Sequence, residues 1–224
     1  INILIIAEEG NPQKQLADTI GSLAKQTLGL WKLTVITSPN FDHTQFSADT
    51  EISWVETNLG ENATRLLVGV DLDSEADWIL ICEPGTCFEP VFCNLVGELI
   101  NRNPEWRFVY TDEDYISEQG NLSKPSLKPD SNLDLLRSSG YVGHACLIHS
   151  DLWRQIPANE RINSLLLLNY AAALRCYEIF GETAIGHVDE ILFHYPLEVA
   201  EDLKKFEESG KIILQEHLWR QGIF

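Results

Sequence analysis

Short apolar runs alternate with amphipathic segments along the first half of the chain. Four runs are typical of strands: "INILIIA", "WKLTVITS", "EISWVET" and "DWILIC". Between the first two lies "QKQLADTIGSLAKQT", in which Leu16, Ile20, Leu23 and Ala24 recur at helical spacing. We expect further helices around 63–72 and over "PVFCNLVGELINRNP". This alternation favours a parallel sheet with helices on its faces.

The second half of the chain has a different pattern. "EWRFVYTDEDYI" predicts a strand that ends in carboxylates, and the loop "NLSKPSLKPDSN" follows it. We then expect a short helix near 133–137, a strand over "YVGHACLIHS", a helix over "NSLLLLNYAAALRCYEIFG" and a strand over "AIGHVDEILFHYP". After Leu197 a Glu- and Lys-rich helix is expected to pack outside the sheet. The pattern predicts one three-layer α/β domain with a mostly parallel, mixed central sheet.

The charge of the chain restricts its partners. Among 224 residues, 34 acidic and 16 basic side chains give a net charge of −18. Such a field repels phosphate backbones and anionic membrane surfaces, so nucleic acid is excluded as a partner. The same field argues weakly against any phosphate-bearing ligand, unless a metal ion or local cations offset it.

The cysteines and the apolar runs indicate a compartment. Five cysteines are an odd number, and no CxxC pair exists, which favours reduced, buried thiols over a disulfide framework or metal ligands. No apolar run reaches about 18 residues, so no membrane span is predicted. We therefore expect a cytoplasmic protein. The chain contains no Met and starts at Ile1, which suggests a domain taken from a longer protein.

The motifs of the second half carry a resemblance to a known family. "YTDEDYI", then Gly120, then "KPSLKPDSNLDLLRSSGYVGH" follow one another in an order that resembles the family 2 glycosyltransferases. Softer supports are "SLAKQT", "NYAAALR" and "ILFHYP". The resemblance covers residues 1 to about 196. It implies the GT-A fold of nucleotide-diphospho-sugar transferases.

The resemblance also implies a chemistry and a division of the domain. Residues 1–110 would form the nucleotide-sugar half, 111–196 the acceptor half and 197–224 a helical tail. In the family, Mg²⁺ or Mn²⁺ neutralises the departing diphosphate, and a carboxylate takes the proton from the acceptor hydroxyl. The implied partners are a nucleotide-diphospho-sugar donor and a glycan acceptor.

Four positions depart from the family pattern. Counting back from Pro90 places Glu83 at the first carboxylate of the metal motif and Gly85, which has no side chain, at the metal-binding one. Counting back from Arg175 places Asn169 at the general base, and an amide cannot take a proton at neutral pH. On the donor side, Thr37 or Ser38 replaces an Asp, and Ala7, Glu8, Glu9 and Gly10 replace an opening Pro-Thr-Tyr-Asn.

Other polar residues remain candidates for the site. Asp112 and Asp114 should point to one face of their strand and Glu113 to the other, so the three are not expected to share one ion. The resemblance places His194 near the metal, together with Glu83. It places Glu113, Lys128, Asp130 and His144 on the acceptor side. The residues themselves favour packing or hydrogen bonding for His144 and loop shaping through Pro129 for Lys128 and Asp130 over a direct contact with sugar.

Two functions therefore follow from the sequence. One is a divergent transferase that moves sugar from a nucleotide-diphospho-sugar to a glycan or lipid-linked saccharide hydroxyl. The other is a non-catalytic binding or scaffolding domain that keeps the fold without turning over donor, in which case no cation is needed. Lineage favours the first hypothesis, whereas the substituted metal and base positions favour the second.

Overall fold

A computed structural model describes residues 1–7, 13–46, 51–58, 77–156, 164–197 and 203–223. The strands are β1 Asn2–Ala7, β2 Lys32–Thr37, β3 Ile52–Glu56, β4 Trp78–Cys82, β5 Cys87–Phe88, β6 Phe108–Ile116, β7 Leu122–Ser126, β8 Cys146–His149 and β9 Ile185–Pro196. The helices are α1 Gln13–Leu23, α2 Phe92–Arg102, α3 Leu133–Ser138, α4 Ser150–Trp153, α5 Leu165–Phe180 and α6 Leu203–Arg220. The helix expected around 63–72 lies outside the described residues.

All nine strands form one sheet. Its order is β3-β2-β1-β4-β8-β6-β9-β5, and β7 pairs with β6. Strands β1 to β4 are mutually parallel where they pair, and β8 lies antiparallel between β4 and β6. Because β6 and β9 are parallel, β1–β4, β6 and β9 all point the same way. The predicted mixed, mostly parallel α/β sheet is therefore confirmed.

Burial follows the hydrophobic pattern. Strand β4 is buried along its whole length, as expected for a strand covered on both faces. Helix α1 buries Leu16, Thr19 and Leu23 at helical spacing. Helix α5 is buried over most of its length, starts at the Ser164 side chain, which accepts a hydrogen bond from the Leu167 amide, and ends at Gly181 with φ +83°.

Two predicted segments differ from the structure. The loop "NLSKPSLKPDSN" contains strand β7, which pairs with β6. The strand expected over "YVGHACLIHS" is confined to Cys146–His149. The preceding residues turn instead, because the backbone at His144 and Ala145 donates hydrogen bonds to the Glu113 carboxylate rather than to a strand.

All five cysteines are free thiols, as their odd number and the lack of a CxxC pair predicted. All but the half-buried Cys87 are buried. No helix within the described ranges is long and apolar enough to cross a bilayer. Helix α6 packs on α5 outside the sheet, as predicted.

Candidate active site

The turn after β4 contains Glu83 and Gly85, the positions to which the resemblance assigns the metal-binding carboxylates. Glu83 is half-buried at the carboxyl end of β4. Its carbonyl accepts hydrogen bonds from the Thr86 amide (3.1 Å) and from Thr86 Oγ1 (2.8 Å), which close the turn. Gly85 has φ +94°, a conformation that favours glycine.

Gly85 is enclosed by its neighbours. Its amide donates to Thr19 Oγ1 of α1 (2.9 Å). A Cβ at Gly85 would lie 2.8 Å from Pro196 Cγ and 3.4 Å from Gln15 Cγ. The position that the family uses for a metal carboxylate is therefore occupied by packing between the turn, α1 and the end of β9.

The other donor-side positions are Thr37 or Ser38, at the end of β2, and Glu9, which follows β1 in the sequence. Thr37 ends β2 and is fully buried, and its Oγ1 has no hydrogen-bond partner among the residues that the structure describes. Ser38 follows it directly and is half-buried. Glu9 lies outside the described residues.

On β6, the Glu113 carboxylate is buried in an ion pair. Its Oε2 accepts hydrogen bonds from Lys128 Nζ (3.0 Å) and from the amides of His144 (2.9 Å) and Ala145 (3.0 Å). Burial by itself would raise the pKa of Glu113, but the Lys128 ammonium and the His144 contacts outweigh it and lower the pKa to about 2. Glu113 is therefore an anion that holds the backbone of residues 144 and 145.

Lys128 ties the same loop to a second point. Its Nζ also donates to the Val142 carbonyl (2.8 Å). The neighbouring Gly143 has φ +72°, and a Cβ there would lie 2.6 Å from Glu113 Oε1 and 2.7 Å from Lys128 Nζ. The ion pair and the glycine thus fit one another, and both charges are satisfied within the protein.

Asp112 and Asp114 each contact a histidine of β9. Asp112 Oδ1 accepts from the Lys128 amide (2.8 Å) and lies 3.1 Å from His187 Nε2. Asp114 Oδ1 lies 2.5 Å from His194 Nδ1. Glu113 contacts neither histidine and pairs instead with the Lys128 ammonium, so it and the two aspartates face different side chains, as the alternation along the strand predicts.

Each of these histidines also contacts a second carboxylate. His187 Nδ1 lies 3.1 Å from Asp130, whose side chain is 98% exposed. His194 Nε2 lies 2.9 Å from Glu89, whose side chain is 43% exposed. Both imidazoles therefore connect a buried carboxylate to an accessible one. Sequence reasoning missed His187, although two histidines seven residues apart on one strand were a visible signal.

The Asn169 side chain is buried and hydrogen-bonds to the backbone. It is 1% exposed within α5, and its Nδ2 donates to the carbonyls of Gly143 and His144, each at 3.0 Å. An aspartate could not donate these two hydrogen bonds. The amide at the family's base position is thus matched to the loop that Glu113 and Lys128 also hold.

A second charged cluster, also missed from the sequence, fastens α6. The buried carboxylate of Glu178 accepts from Arg175 (2.7 Å), His217 (2.8 Å) and Arg220 (2.9 Å). Burial would raise the pKa of Glu178, but hydrogen bonds from His217, Arg220 and Arg175 lower it to about 2. Arg175 is three residues from Glu178, but His217 and Arg220 lie 39 and 42 residues away, so no local pattern shows the whole cluster.

The described residues do not suit a divalent cation. Gly85 offers no side-chain ligand, and both ring nitrogens of His194 already face carboxylates. In the part of the chain that the structure describes, no group of three His, Cys, Asp or Glu side chains could hold a metal ion. These side chains therefore give no support to a transfer step that depends on a metal ion.

Comparison with known proteins identifies the fold. No protein-family model matches the sequence. The S. aureus protein TarS, solved with UDP, superimposes with a TM-score of 0.67 at 10% identity, over 97% of this chain and 65% of that one. Glucosyl-3-phosphoglycerate synthase from Mycobacterium tuberculosis, solved with Mn²⁺, UDP and phosphoglyceric acid, gives 0.60 at 15% identity, over 100% and 78%. The chain has the GT-A glycosyltransferase fold. The GT-A fold that the resemblance implies is thereby confirmed.

Two curated relatives match part of this chain in sequence. The O-antigen biosynthesis protein RfbC of Myxococcus xanthus is 34% identical over 126 residues, which cover 53% of this chain and 10% of RfbC. The uncharacterized protein y4gI of Sinorhizobium fredii is 29% identical over 150 residues, which cover 64% of this chain and 16% of y4gI. The GT-A domain thus spans a small fraction of the relatives that it matches.

Proposed function

We propose that this domain takes part in sugar transfer from a nucleotide-diphospho-sugar to a hydroxyl of a glycan or lipid-linked saccharide. The observation that carries the proposal is the GT-A fold over nearly the whole chain. TarS was solved with UDP and with UDP-GlcNAc, and the relative RfbC is named for O-antigen biosynthesis. These names support a nucleotide sugar as donor and a saccharide as acceptor.

The sheet supports the same proposal. Strands β1, β2 and β4 are parallel and end at one edge, and open α/β sheets bind ligands beyond the carboxyl ends of their strands. Glu83 lies at this edge, at the end of β4. We place the donor there, next to the Glu83 carboxylate.

The cation is a separate part of the proposal. The synthase from M. tuberculosis was solved with Mn²⁺, so Mn²⁺ or Mg²⁺ is the cation to test. In this chain Gly85 is closed by Pro196 and Gln15, and His194 is held by two carboxylates. We infer that donor binding here does not depend on a cation at Gly85.

A second function, a non-catalytic glycosyltransferase-like binding domain, is favoured by Asn169. A general base must reach the acceptor hydroxyl and accept its proton. Asn169 is 1% exposed, and both of its amide hydrogens are used by the carbonyls of Gly143 and His144. If no other residue takes the proton, the domain binds without transfer.

Calorimetric titration with UDP, UDP-glucose and UDP-GlcNAc, each with and without Mn²⁺, separates the two functions. The transferase proposal expects micromolar binding and release of UDP when a glycan is added. Absence of binding by all three nucleotides overturns it and leaves the non-catalytic domain.

A matched pair of variants locates the donor. Glu83→Gln should tighten nucleotide binding, because the Glu83 carboxylate lies at the carboxyl edge of the sheet and, where donor binding does not depend on a cation, repels the diphosphate. Glu105→Gln should not, because this exposed residue precedes β6 at the opposite edge. Equal effects of the two substitutions would contradict the placement of the donor.

A further inference from the structure

A groove adjoins the candidate active site at Gly85. It has a volume of about 610 Å³ and runs between α1, strand β5 and the turn that joins β6 to β7. The middle of its α1 wall consists of small residues, Ala17, Gly21 and Ser22. A Cβ at Gly21 would have no atom within 4 Å, so this part of the groove is open.

The groove is long enough for an extended ligand. Its α1 wall runs from Lys14 to Ser22, which at 1.5 Å per helical residue is about 12 Å. Gly85 and Glu89 also line the groove. The groove therefore extends along α1 and adjoins the turn after β4.

Groups of both signs line the groove. The basic residues are Lys14 on α1 and Lys25 in the turn after α1, whereas the carboxylates are Asp18, Glu89 and Glu118. Lys14 Nζ lies 2.8 Å from Asp18 Oδ2, so these two charges are already paired. The wall thus offers hydrogen-bond donors and acceptors side by side with little local net charge.

Glu89 is the most firmly held of these groups. Its carboxylate contacts His194 Nε2 (2.9 Å), and the opposite ring nitrogen is fixed by the buried Asp114 (2.5 Å). Its backbone carbonyl accepts from Gln26 Nε2 (2.7 Å). A carboxylate that is 43% exposed is therefore presented to the groove in a fixed position.

The floor of the groove is apolar. Phe88, Pro90, Ile116 and Pro196 contribute to it. A polyanion is disfavoured, because the three carboxylates outnumber the two lysines and the whole chain carries −18. A ligand with many hydroxyls suits the site, because each hydroxyl both donates and accepts while carbon-bound hydrogens contact the apolar floor.

We propose that this groove binds a neutral oligosaccharide. The proposal rests on the proposed function in one respect, since it names the acceptor as a neutral glycan that lies along α1. The groove does not contain Asn169 or the β6 carboxylates, but it includes Gly85 and so adjoins the turn where we place the donor.

Binding is tested with four probes, the linear tetrasaccharides of glucose, mannose, galactose and N-acetylglucosamine. They are titrated into the ¹⁵N-labelled protein, and the amide signals of Gly21, Gly85 and Gly120 are followed. We expect at least one probe to shift these three signals, with an affinity that does not change with salt, because the ligand is uncharged. No shift with any probe at millimolar concentration overturns the proposal.

Two glycine variants provide a matched comparison. Gly21→Phe fills the groove, whereas Gly97→Phe places the same ring on α2, where a Cβ likewise has no atom within 4 Å. We expect Gly21→Phe to weaken binding at least about tenfold and Gly97→Phe to leave it unchanged. Retained binding in Gly21→Phe contradicts the proposal.

A third variant does not depend on bulk. Asp18→Ala removes one acceptor and leaves the groove open, and it should weaken binding severalfold without altering the thermal midpoint. Unchanged binding in this variant and in Gly21→Phe would exclude the groove. Nucleotide binding is measured in the same samples, so loss of UDP binding with retained saccharide binding would overturn the proposed transfer but not the groove.

Discussion

The turn after β4 and the end of β6 differ in opposite ways from the site residues that the resemblance implies. At the turn, Gly85 brings no side chain, and Pro196 and Gln15 occupy the space. On β6 all three carboxylates are present, and each is engaged by a partner inside the protein. The turn lacks a carboxylate at Gly85, whereas the carboxylates of β6 are present but are held in contacts within the protein.

This difference shows that a polar side chain in a family motif is not by itself a functional group. Glu113 is a fully satisfied anion that holds a loop, whereas Glu89, outside the carboxylate motif, is exposed and oriented by His194. Accessibility and unfilled hydrogen-bonding capacity separate the two cases better than residue type does.

Acid should produce the largest effect and should act through the carboxylates of the second half. Glu113 and Glu178 have pKa values lowered from 4.5 to about 2. A lowered pKa in the folded state means stability that is present above 4.5 and lost as the pH falls toward 2. Urea unfolding between pH 6 and pH 2 should show this loss. Glu178→Gln should flatten the dependence, and an unaltered slope would contradict the role of Glu178.

Removing the cation of the β6 ion pair should have the next largest effect. Lys128→Met leaves Glu113 buried without its partner, and breaking a buried pair in this way costs about 3–5 kcal/mol of unfolding free energy. Lys25→Met, at an exposed position in the turn after α1, is the control and should cause no measurable change. Equal stability of the two variants would show that the pair is solvated rather than buried.

Restoring the family's base should destabilise the protein. Asn169→Asp removes two hydrogen bonds and places a carboxylate against the carbonyls of Gly143 and His144, at a cost of about 2–4 kcal/mol. Chemical unfolding measures the cost, and UDP release measures activity. A variant that is as stable as the original and releases UDP faster would contradict the structural role of Asn169.

A side chain at the turn should have a smaller effect. Gly85→Ala meets Pro196 and forces φ +94° on a residue with a Cβ, which should cost about 1–3 kcal/mol. Gly21→Ala, at an open helical position, should instead stabilise by about 0.5–1 kcal/mol. The opposite signs can be read from thermal midpoints. A stabilising Gly85→Ala would show that the turn has room for a ligand.

The fold could be predicted because its signals are local and periodic. The apolar runs gave β1, β2 and β4, and the helical spacing of Leu16 and Leu23 gave α1. The strand expected over "YVGHACLIHS" was too long because residues 144 and 145 turn toward Glu113. That contact joins positions about 31 residues apart, and no local pattern encodes it.

The candidate site could be predicted only as a set of positions. Counting against the family identified Gly85, Asn169 and the β6 carboxylates, because the motifs keep their order along the chain. What each position contacts depends on the packing of distant segments. Pro196 on Gly85, the Gly143 carbonyl on Asn169 and Glu178 on His217 are all such contacts.

We infer that Gly85, where the resemblance places a metal-binding carboxylate, forms a packing contact with Pro196 and Gln15. This inference is tested most directly by adding Mn²⁺ to the ¹⁵N-labelled protein in the presence of UDP, since the ion broadens amide signals close to where it binds. We expect broadening spread over the exposed carboxylates and no selective loss at Gly85, Cys87 and His194. Selective loss of these three signals at low Mn²⁺ concentration would contradict the account.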